Sequence, residues 1–309
     1  MAEAPNFRAL LSRPVVLVTG KGGVGKTTVA AALGLRAARM GMRPLVVGCD
    51  GKPTLARILG GAPEGPRATN MGQGVHALRV DFDEALADLI GEILSVRKLV
   101  EAFLHNRVVR TFVHAAPSVM ELSLLHRVDR ARSKDEPGGP FSPVIVDLPA
   151  SGHALALMAT PRAVMRLVRM GPLYRRASEL LALVNDPQLT ALCAVTLAEE
   201  LPVNETIELV GRARGLGVPV GHVVVNAVPP SPLSSDDAEL MTHLSQQGQP
   251  PLAHWAQEAL HGSTRSRRAR AEIERLASVA TGPLAEVPFV SEAGPRLTAS
   301  VCDALGEKV

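Results

Sequence analysis

The chain has 309 residues, of which 46% are hydrophobic and 20% are charged, and its formal net charge is +3. This composition excludes an intrinsically disordered chain and allows a core large enough for one elaborated α/β domain or for two domains. The small excess of basic residues is spread along the sequence, so charge alone gives no reason to expect nucleic-acid binding.

Membrane and disulfide features are also missing from the sequence. No apolar run approaches the roughly 18 to 20 residues of a membrane-spanning helix, and residues 1–8 lack the apolar core of a signal peptide. The cysteines Cys49, Cys193 and Cys302 are isolated and show neither disulfide nor zinc-site spacing. We therefore expect a cytoplasmic protein without a transmembrane segment, and we expect neither zinc nor an iron–sulfur cluster.

The first predicted strand, Val15–Thr19, leads through a glycine-rich loop into a helix predicted over Thr27–Arg39. Residues 20–27 match the P-loop pattern G-x-x-x-x-G-K-[ST], whose backbone amides surround phosphate oxygens. In such a loop the lysine reaches the β- and γ-phosphates and the following hydroxyl binds Mg²⁺. We therefore predict that Lys26 is catalytic and that Thr27 is a metal ligand. The predicted nucleotide-binding residues of this loop are Gly20, Gly22, Gly23, Val24, Gly25, Lys26, Thr27 and Thr28.

A dinucleotide-binding fold is the main alternative for the same loop. Gly20, Gly22 and Gly25 also spell G-x-G-x-x-G, and Asp50 follows as a ribose-binding acid would. Lys26 and Thr27 favour the P-loop, because Mg-nucleotide binding requires them and pyrophosphate binding does not. A glycine-rich turn without a ligand would not need so long a match.

Lys21 is not required by the general P-loop pattern. The sequence Gly-Lys-Gly-Gly-Val-Gly-Lys-Thr resembles the deviant Walker A motif of the ATPase class that includes MinD, ParA, the nitrogenase iron protein and the arsenite-pump ATPases. This resemblance implies that Lys21 crosses a dimer interface to the partner's nucleotide and acts in catalysis. An exposed loop lysine is the alternative interpretation.

A second buried strand is predicted over Arg43–Cys49. Apolar strands that alternate with helices indicate a parallel sheet covered on both faces, with ligands at the carboxyl ends of the strands. Asp50 lies at such an end, where its carboxylate can orient or deprotonate the water that attacks a γ-phosphate. A turn or helix-capping aspartate is the alternative.

The middle of the chain predicts a helical insertion. A surface loop over Gly60–Gly74 and a short strand over Val75–Val80 precede a helix from Asp83 to about His105. Helical patterns continue over Val108–Val113 and Val119–Val128. We assign residues 83–133 to an insertion subdomain within a single P-loop domain of residues 1–309. These helices, with the methionines of residues 155–173, could form a client surface, and core or dimer packing explains the same pattern.

Asp147 ends the next predicted strand, which runs from Ser142 to Asp147 after the proline- and glycine-rich linker Lys134–Pro140. In a protein with a P-loop, an acid at this strand end matches a Walker B aspartate, so we predict that Asp147 holds Mg²⁺ through water. A structural cap is the alternative.

The remaining elements continue the α/β pattern. Strands are predicted at Thr190–Leu197, Val218–Val225 and Ala285–Val290, helices at Asn204–Arg214, Arg265–Leu276 and Arg296–Leu305, and partial loop structure at Ser231–Pro251. The predicted fold is therefore an α/β P-loop NTPase with a mostly parallel central sheet, helices on both faces and a helical insertion.

With these motifs assigned, the chain resembles the ArsA-type ATPases, which include arsenite-pump and tail-anchored-protein-targeting ATPases. The sequence Asp-Leu-Pro-Ala-Ser-Gly-His at residues 147–153 is similar to the family's switch II, Asp-Thr-Ala-Pro-Thr-Gly-His. Residues 186–190 and 196–201 resemble its next strand and helix. The resemblance implies that Asn226 reads adenine, and that Pro288, Phe289 and Val290 close over the base.

The departures from the family concern its cargo. Cysteines that bind zinc or arsenite in other members are absent, the segment Pro161–Asp186 is short, and switch I reads Asp50-Gly-Lys-Pro where the family usually has Asp-Pro-Ala-His. The chain is similar to the compact bacterial branch, whose members often occur as paired paralogues.

Three functional hypotheses follow from the resemblance. The first is a Mg²⁺- and ATP-dependent switch ATPase, a homodimer or a heterodimer with a paralogue, which acts on a client or membrane-associated protein and not on nucleic acid. The second is a weakly hydrolysing, nucleotide-binding subunit of such a heterodimer. A ParA-like or MinD-like ATPase fits less well, because the stretch Arg296–Val309 shows no basic amphipathic helix.

Overall fold

A computed structural model describes residues 6–49, 51–94, 117–280 and 282–306. In these ranges the chain forms one central sheet with helices against both faces. The strands are β1 Val15–Gly20, β2 Leu45–Gly48, β3 Thr69–Gly72, β4 Val75–Arg79, β5 Val144–Asp147, β6 Thr190–Leu197, β7 Val220–Val228 and β8 Leu284–Pro288. The helices are α1 Phe7–Leu11, α2 Lys26–Arg39, α3 Thr54–Leu59, α4 Phe82–Leu94, α5 Pro117–Ala131, α6 Ser151–Leu167, α7 Pro172–Asn185, α8 Glu200–Gly215, α9 Ser235–Gln247, α10 Pro250–Val279 and α11 Gly294–Ala304.

The strand order in the sheet is β3-β4-β2-β5-β1-β6-β7-β8. All neighbouring strands are parallel except β3 and β4, which form an antiparallel hairpin at one edge. The α/β fold with a mostly parallel sheet is confirmed. Because β1 lies between β5 and β6, the carboxyl ends of these three strands meet at one edge of the sheet, where the predicted phosphate site belongs.

Both faces of the sheet are buried, which explains the continuous apolar runs of its central strands. On β1, Val15 and Leu17 face a core formed with α4 to α8 and α10. Val16 and Val18 face the opposite core, which contains α1, α2, α3 and α11. The P-loop therefore emerges from a strand that is fixed from both sides.

The segment predicted as a surface loop, Gly60–Gly74, is more ordered than its composition indicated. It contains β3, and it buries the Glu64 carboxylate, which accepts hydrogen bonds of 3.0 Å from the backbone N–H groups of Leu55 and Ala56. Glu64 therefore caps the first turn of α3, a role that its position in the sequence does not reveal.

The predicted insertion is described in part. Its first helix begins at Phe82 and is described to Leu94, and the stretch predicted over Val119–Val128 lies inside α5. The prediction for Val108–Val113 lies outside the described residues, and the assignment of residues 83–133 to a subdomain stays a prediction. Arg176 of α7 ties the described helices together, because its guanidinium contacts His126 and Asp129 of α5 and lies 3.3 Å from Glu92 of α4.

The C-terminal region differs most from the prediction. Ser231–Pro251, predicted as partly loop, contains α9, which is capped by Ser234 and has no buried residue. The helix predicted over Arg265–Leu276 extends over 30 residues as α10. Because α9 has no buried face, its sequence lacks the apolar periodicity from which helices are recognised. Across the described ranges, no helix has both the length and the apolar character needed to cross a membrane.

Candidate functional site

The P-loop connects the last residue of β1, Gly20, to the first residue of α2, Lys26. Gly25 precedes the helix with φ of 91° and ψ of 23°, a left-handed conformation that favours glycine. At Gly20, a Cβ atom would lie 2.0 Å from the carbonyl oxygen of Val195 on β6. The geometry of the loop thus requires both glycines. The loop leads into a 14-residue helix, whose N-terminal N–H groups lie next to the loop and are suited to bind an anion.

Lys26 and Asp147 lie beside the P-loop on two different elements, Lys26 at the start of α2 and Asp147 at the end of β5. Asp147, the last residue of β5, is aligned with Val18 of β1 and is 7% exposed. The Lys26 ammonium donates a 2.9 Å hydrogen bond to the carbonyl oxygen of Lys21. Partial burial lowers the pKa of Lys26, and the negative charge of Asp147 opposes that shift. The site therefore places one cation and one carboxylate within electrostatic reach of each other.

The residues after Asp147 are also fixed to the P-loop strand. The Leu148 N–H donates to the carbonyl oxygen of Val18 at 2.9 Å, and the Thr19 hydroxyl donates to the carbonyl oxygen of Pro149 at 3.2 Å. This segment leads directly into α6 at Ser151. The predicted switch II sequence thus lies against the end of β1.

The side chains expected to bind Mg²⁺ have suitable chemistry. Thr27, the predicted Mg²⁺ ligand, is half-buried in the first turn of α2, at the edge of the sheet where β5 ends with Asp147; the predicted nucleotide-binding residue Thr28 follows it. A hydroxyl, a carboxylate and nucleotide phosphates are the hard oxygen ligands that Mg²⁺ prefers. Gly22 and Gly23 have no heavy atom within 4 Å of an added Cβ position, so the outer side of the loop is open. The residues present therefore fit a magnesium–nucleotide complex.

Asn226 contacts the P-loop directly. Its side-chain amide on β7 donates a 2.9 Å hydrogen bond to the carbonyl oxygen of Val24, which is itself buried. The same nitrogen would lie 2.2 Å from a Cβ atom added to Gly25. The structure thus brings together three predicted site residues, and it gives Asn226 a contact with the loop that the sequence did not predict.

The segment predicted to cover the base begins on the adjacent strand. Pro288 ends β8 opposite Val228 of β7, and the Phe289 N–H donates to the Val228 carbonyl oxygen at 2.8 Å. The Phe289 side chain is 65% exposed, and Val290 is half-buried. Pro288, Phe289 and Val290 therefore follow the strand next to the one that carries Asn226.

Lys21 is held by its own chain. Its ammonium lies 2.9 Å from the Glu205 carboxylate of α8, and both side chains are about one-third exposed, at 31% and 36%. Sequence reasoning singled out Lys21 but did not connect it to Glu205, since 184 positions separate the two residues and no motif spacing relates them. In the structure Lys21 is thus an ion-pair partner of α8 at the edge of the predicted phosphate site.

Asp50, predicted to act in hydrolysis, lies outside the described residues. Its flanks are described on both sides: Gly48 at the end of β2 aligns with Asp147, and the carbonyl oxygen of Gly51 accepts a 2.9 Å hydrogen bond from Arg79. Arg79 was not predicted to take part in the site. Its position at the end of β4 follows from the strand order, which the sequence alone does not specify.

Comparison with known proteins agrees with this geometry. The family model described as anion-transporting ATPase matches residues 13–180. The ATPase BagA of Mycobacterium tuberculosis is 29% identical over 298 residues, which cover 89% of this chain and 87% of BagA. An uncharacterized protein of Streptomyces coelicolor is 36% identical over 190 residues, or 60% of this chain and 46% of that protein. The arsenical pump-driving ATPase of Escherichia coli is 26% identical over 219 residues, which cover 69% of this chain and 35% of the pump ATPase.

The matched region contains the P-loop part of the predicted nucleotide site. Residues 13–180 include β1, the P-loop, α2, Asp147 and the segment that leads into α6. The resemblance seen in the motifs is thereby confirmed over more than half of the chain. On this evidence the chain belongs to the ArsA-type, anion-transporting family of ATPases.

Proposed function

We propose that the protein is a Mg²⁺-dependent ATPase that binds ATP at residues 20–28, hydrolyses it, and uses the nucleotide state to open and close a dimer. The observation that carries the proposal is the approach of Lys26 and Asp147 to the end of β1, beside the open glycine loop. Nucleotide phosphates at this position would replace the Lys21 carbonyl oxygen as the partner of the Lys26 ammonium. Mg²⁺, held by Thr27 and through water by Asp147, would supply charge neutralisation at the β- and γ-phosphates.

The residues of the chain have distinct roles in this proposal. Backbone N–H groups of the loop and the α2 N-terminus bind phosphate oxygens, and Lys26 stabilises the negative charge that moves during phosphoryl transfer. Asp50 is assigned to orient the attacking water. Lys21 is assigned to the partner subunit's nucleotide, where a cation offsets the repulsion between two facing phosphate sites.

Binding of ATP can be tested by calorimetry in the presence of Mg²⁺. We expect Lys26→Ala to lower ATP affinity about tenfold or more, because charge-assisted hydrogen bonds contribute roughly 1.5 to 3 kcal/mol each. Asp147→Asn should lower ATP affinity more in the presence of Mg²⁺ than in its absence. Lys134→Ala and Asp135→Asn in the exposed linker are matched controls. Unchanged affinity in Lys26→Ala would exclude the phosphate site.

Hydrolysis is tested separately by phosphate release from the full chain. Asp50→Asn should retain ATP binding and lose turnover. A parent protein that binds Mg-ATP but has no turnover, alone or with a co-encoded paralogue, would support the second hypothesis of a weakly hydrolysing subunit. Coupling to a client protein belongs to the first hypothesis, and capture of that client by the Asp50→Asn variant in its ATP state is the corresponding test.

A further inference from the structure

The turn between α6 and α7 exposes two large hydrophobic side chains. Leu167 and Met170 are each 80% exposed, the highest values among the described large hydrophobic residues. We define residues 166–175 as the α6–α7 tip. Single exposed hydrophobic residues are common on protein surfaces. Two side chains with such high exposure on one short turn indicate a contact surface.

All charged side chains within the tip itself are basic, and the acids next to it, Glu92, Asp129 and Glu179, pair with the adjacent Arg176. Arg166, Arg169 and Arg175 are exposed and form no ion pair with any described residue. No Asp or Glu occurs between Asp147 and Glu179, although this stretch contains five arginines. Among the described residues, the tip therefore combines two apolar side chains with three arginines that form no ion pair.

The other two arginines of the stretch have internal partners. Arg176 is 8% exposed and contacts His126 and Asp129, and Arg162 donates to the carbonyl oxygen of Leu216. The structure thus uses these two arginines to hold α7 and α6 in place. The three exposed arginines have no such structural role in the described residues.

From this arrangement we infer that the α6–α7 tip binds the surface of an anionic lipid bilayer. Peripheral segments bind bilayers by inserting a few apolar side chains while basic residues contact anionic headgroups. A stable protein interface buries about 800 Å² per partner, whereas the apolar part of the tip consists of two side chains, each 80% exposed on one short turn. A fluid, negatively charged surface fits this small tip better than an acidic protein does.

The tip lies away from the phosphate site. α6 begins at Ser151 near the end of β1, and its 17 residues span about 25 Å. Arg162 of α6 contacts Leu216, which follows α8 and precedes the start of β7. Leu216 therefore lies toward the amino ends of the strands, whereas the phosphate site lies at their carboxyl ends. Substitutions at the tip are therefore expected to leave ATP binding unchanged.

The experiment is vesicle flotation with the full chain. We expect binding to vesicles of phosphatidylcholine with about 30% phosphatidylglycerol, little binding to phosphatidylcholine alone, and release as salt screens the charges. Arg166→Gln/Arg169→Gln should lower the bound fraction about tenfold in the linear range, since each cation near a charged surface contributes appreciably. Leu167→Ser/Met170→Ser should lower it to a similar extent by removing insertion.

Matched controls lie on α9 and α10. Arg265→Gln/Arg268→Gln removes the same charge from exposed positions, and Leu240→Ser/Leu252→Ser removes exposed apolar side chains elsewhere. Retained ATP binding and an unchanged circular dichroism spectrum show that each variant is folded. Equal losses in tip and control variants, no binding to anionic vesicles, or binding to polyglutamate without binding to vesicles would each overturn the inference.

Discussion

At the residue scale, the contact between Gly25 and Asn226 determines how the P-loop is held. Gly25→Ala introduces a side chain at φ of 91° and places its Cβ 2.2 Å from the Asn226 amide nitrogen. We expect ATP affinity to fall at least about tenfold, because a left-handed alanine costs roughly 1 to 2 kcal/mol and the amide must also move. Calorimetry on Gly25→Ala measures this loss.

The double variant Gly25→Ala/Asn226→Ala separates the two causes. It removes the steric conflict and keeps the backbone strain, but it also removes the contacts of Asn226, so its reference is the Asn226→Ala variant. Adding Gly25→Ala to Asn226→Ala should lower ATP affinity less than adding it to the wild type. Gly211→Ala on α8, where a Cβ meets no heavy atom within 4 Å, is the control. Wild-type affinity in Gly25→Ala would contradict the described loop conformation.

Asn226 also carries the proposed preference for adenine. If it reads the base, Asn226→Ala should weaken ATP binding more than GTP binding. If it only holds the Val24 carbonyl group through its 2.9 Å hydrogen bond, both nucleotides should lose affinity equally. Parallel titrations with ATP and GTP distinguish a base-reading residue from a positioning residue.

At the element scale, the ion pair between Lys21 and Glu205 connects the P-loop to α8. If Lys21 moves to the partner subunit's nucleotide on closure, Glu205 competes for the same cation. Glu205→Gln should therefore lower the ATP concentration at which the dimer forms. A partly exposed pair contributes about 0.2 to 1 kcal/mol, which corresponds to a shift of roughly 1.5- to 5-fold.

Sedimentation at several ATP concentrations measures this shift. Glu208→Gln is the matched control, since Glu208 lies on the same helix but pairs with the exposed Arg212. An identical response of both variants would remove the competition from the mechanism. A particle that stays monomeric with ATP, with and without a paralogue, would also remove the cross-interface role of Lys21.

Elements with strong local signals were predictable from the sequence. β6 was predicted with its observed bounds, Thr190–Leu197, because an apolar run bounded by polar turns has few alternatives. β3 was missed since its four residues, Thr-Asn-Met-Gly, include Asn and Gly, which usually mark turns. α9 was missed because it has no buried face.

The features of the candidate site also fall into those that the sequence predicted and those that it did not. The P-loop and Asp147 were identified because their signals are consecutive residues or a strand end. The Lys21–Glu205 pair, the Asn226–Val24 hydrogen bond and the Arg79–Gly51 hydrogen bond join elements whose proximity depends on the sheet order. No sequence spacing encodes that order.

At the scale of the whole molecule, buried histidines make global stability depend on pH. The His126 side chain is fully buried; burial and the nearby Arg176, Arg130 and Arg127 lower its pKa to about 3. Burial also lowers the pKa of His222 to about 4. In the unfolded chain a histidine has a pKa of about 6.5. Below this pH the unfolded chain binds protons that the folded chain does not. The free energy of unfolding is therefore highest above this pH and falls as the pH decreases toward 4.

Urea unfolding at about pH 7.5 and about pH 5 should show this loss, at about 1 to 2 kcal/mol for each histidine. His126→Asn keeps an acceptor for the Arg176 guanidinium and removes the titration, so it should flatten the pH dependence by roughly half while His222 maintains the rest. His243→Asn on the exposed α9 is the control. An unchanged slope in His126→Asn would contradict the assignment.

The continuous helix α6 has a thermodynamic consequence for the molecule. One end adjoins the segment fixed to Thr19 at the phosphate site, and the other end carries Leu167. If the helix shifts between nucleotide states, bilayer affinity differs between those states. Reciprocity then requires that a bilayer alter nucleotide affinity by the same factor. A lipid surface would then act as an allosteric effector of the ATPase, even though it contacts no residue of the nucleotide site.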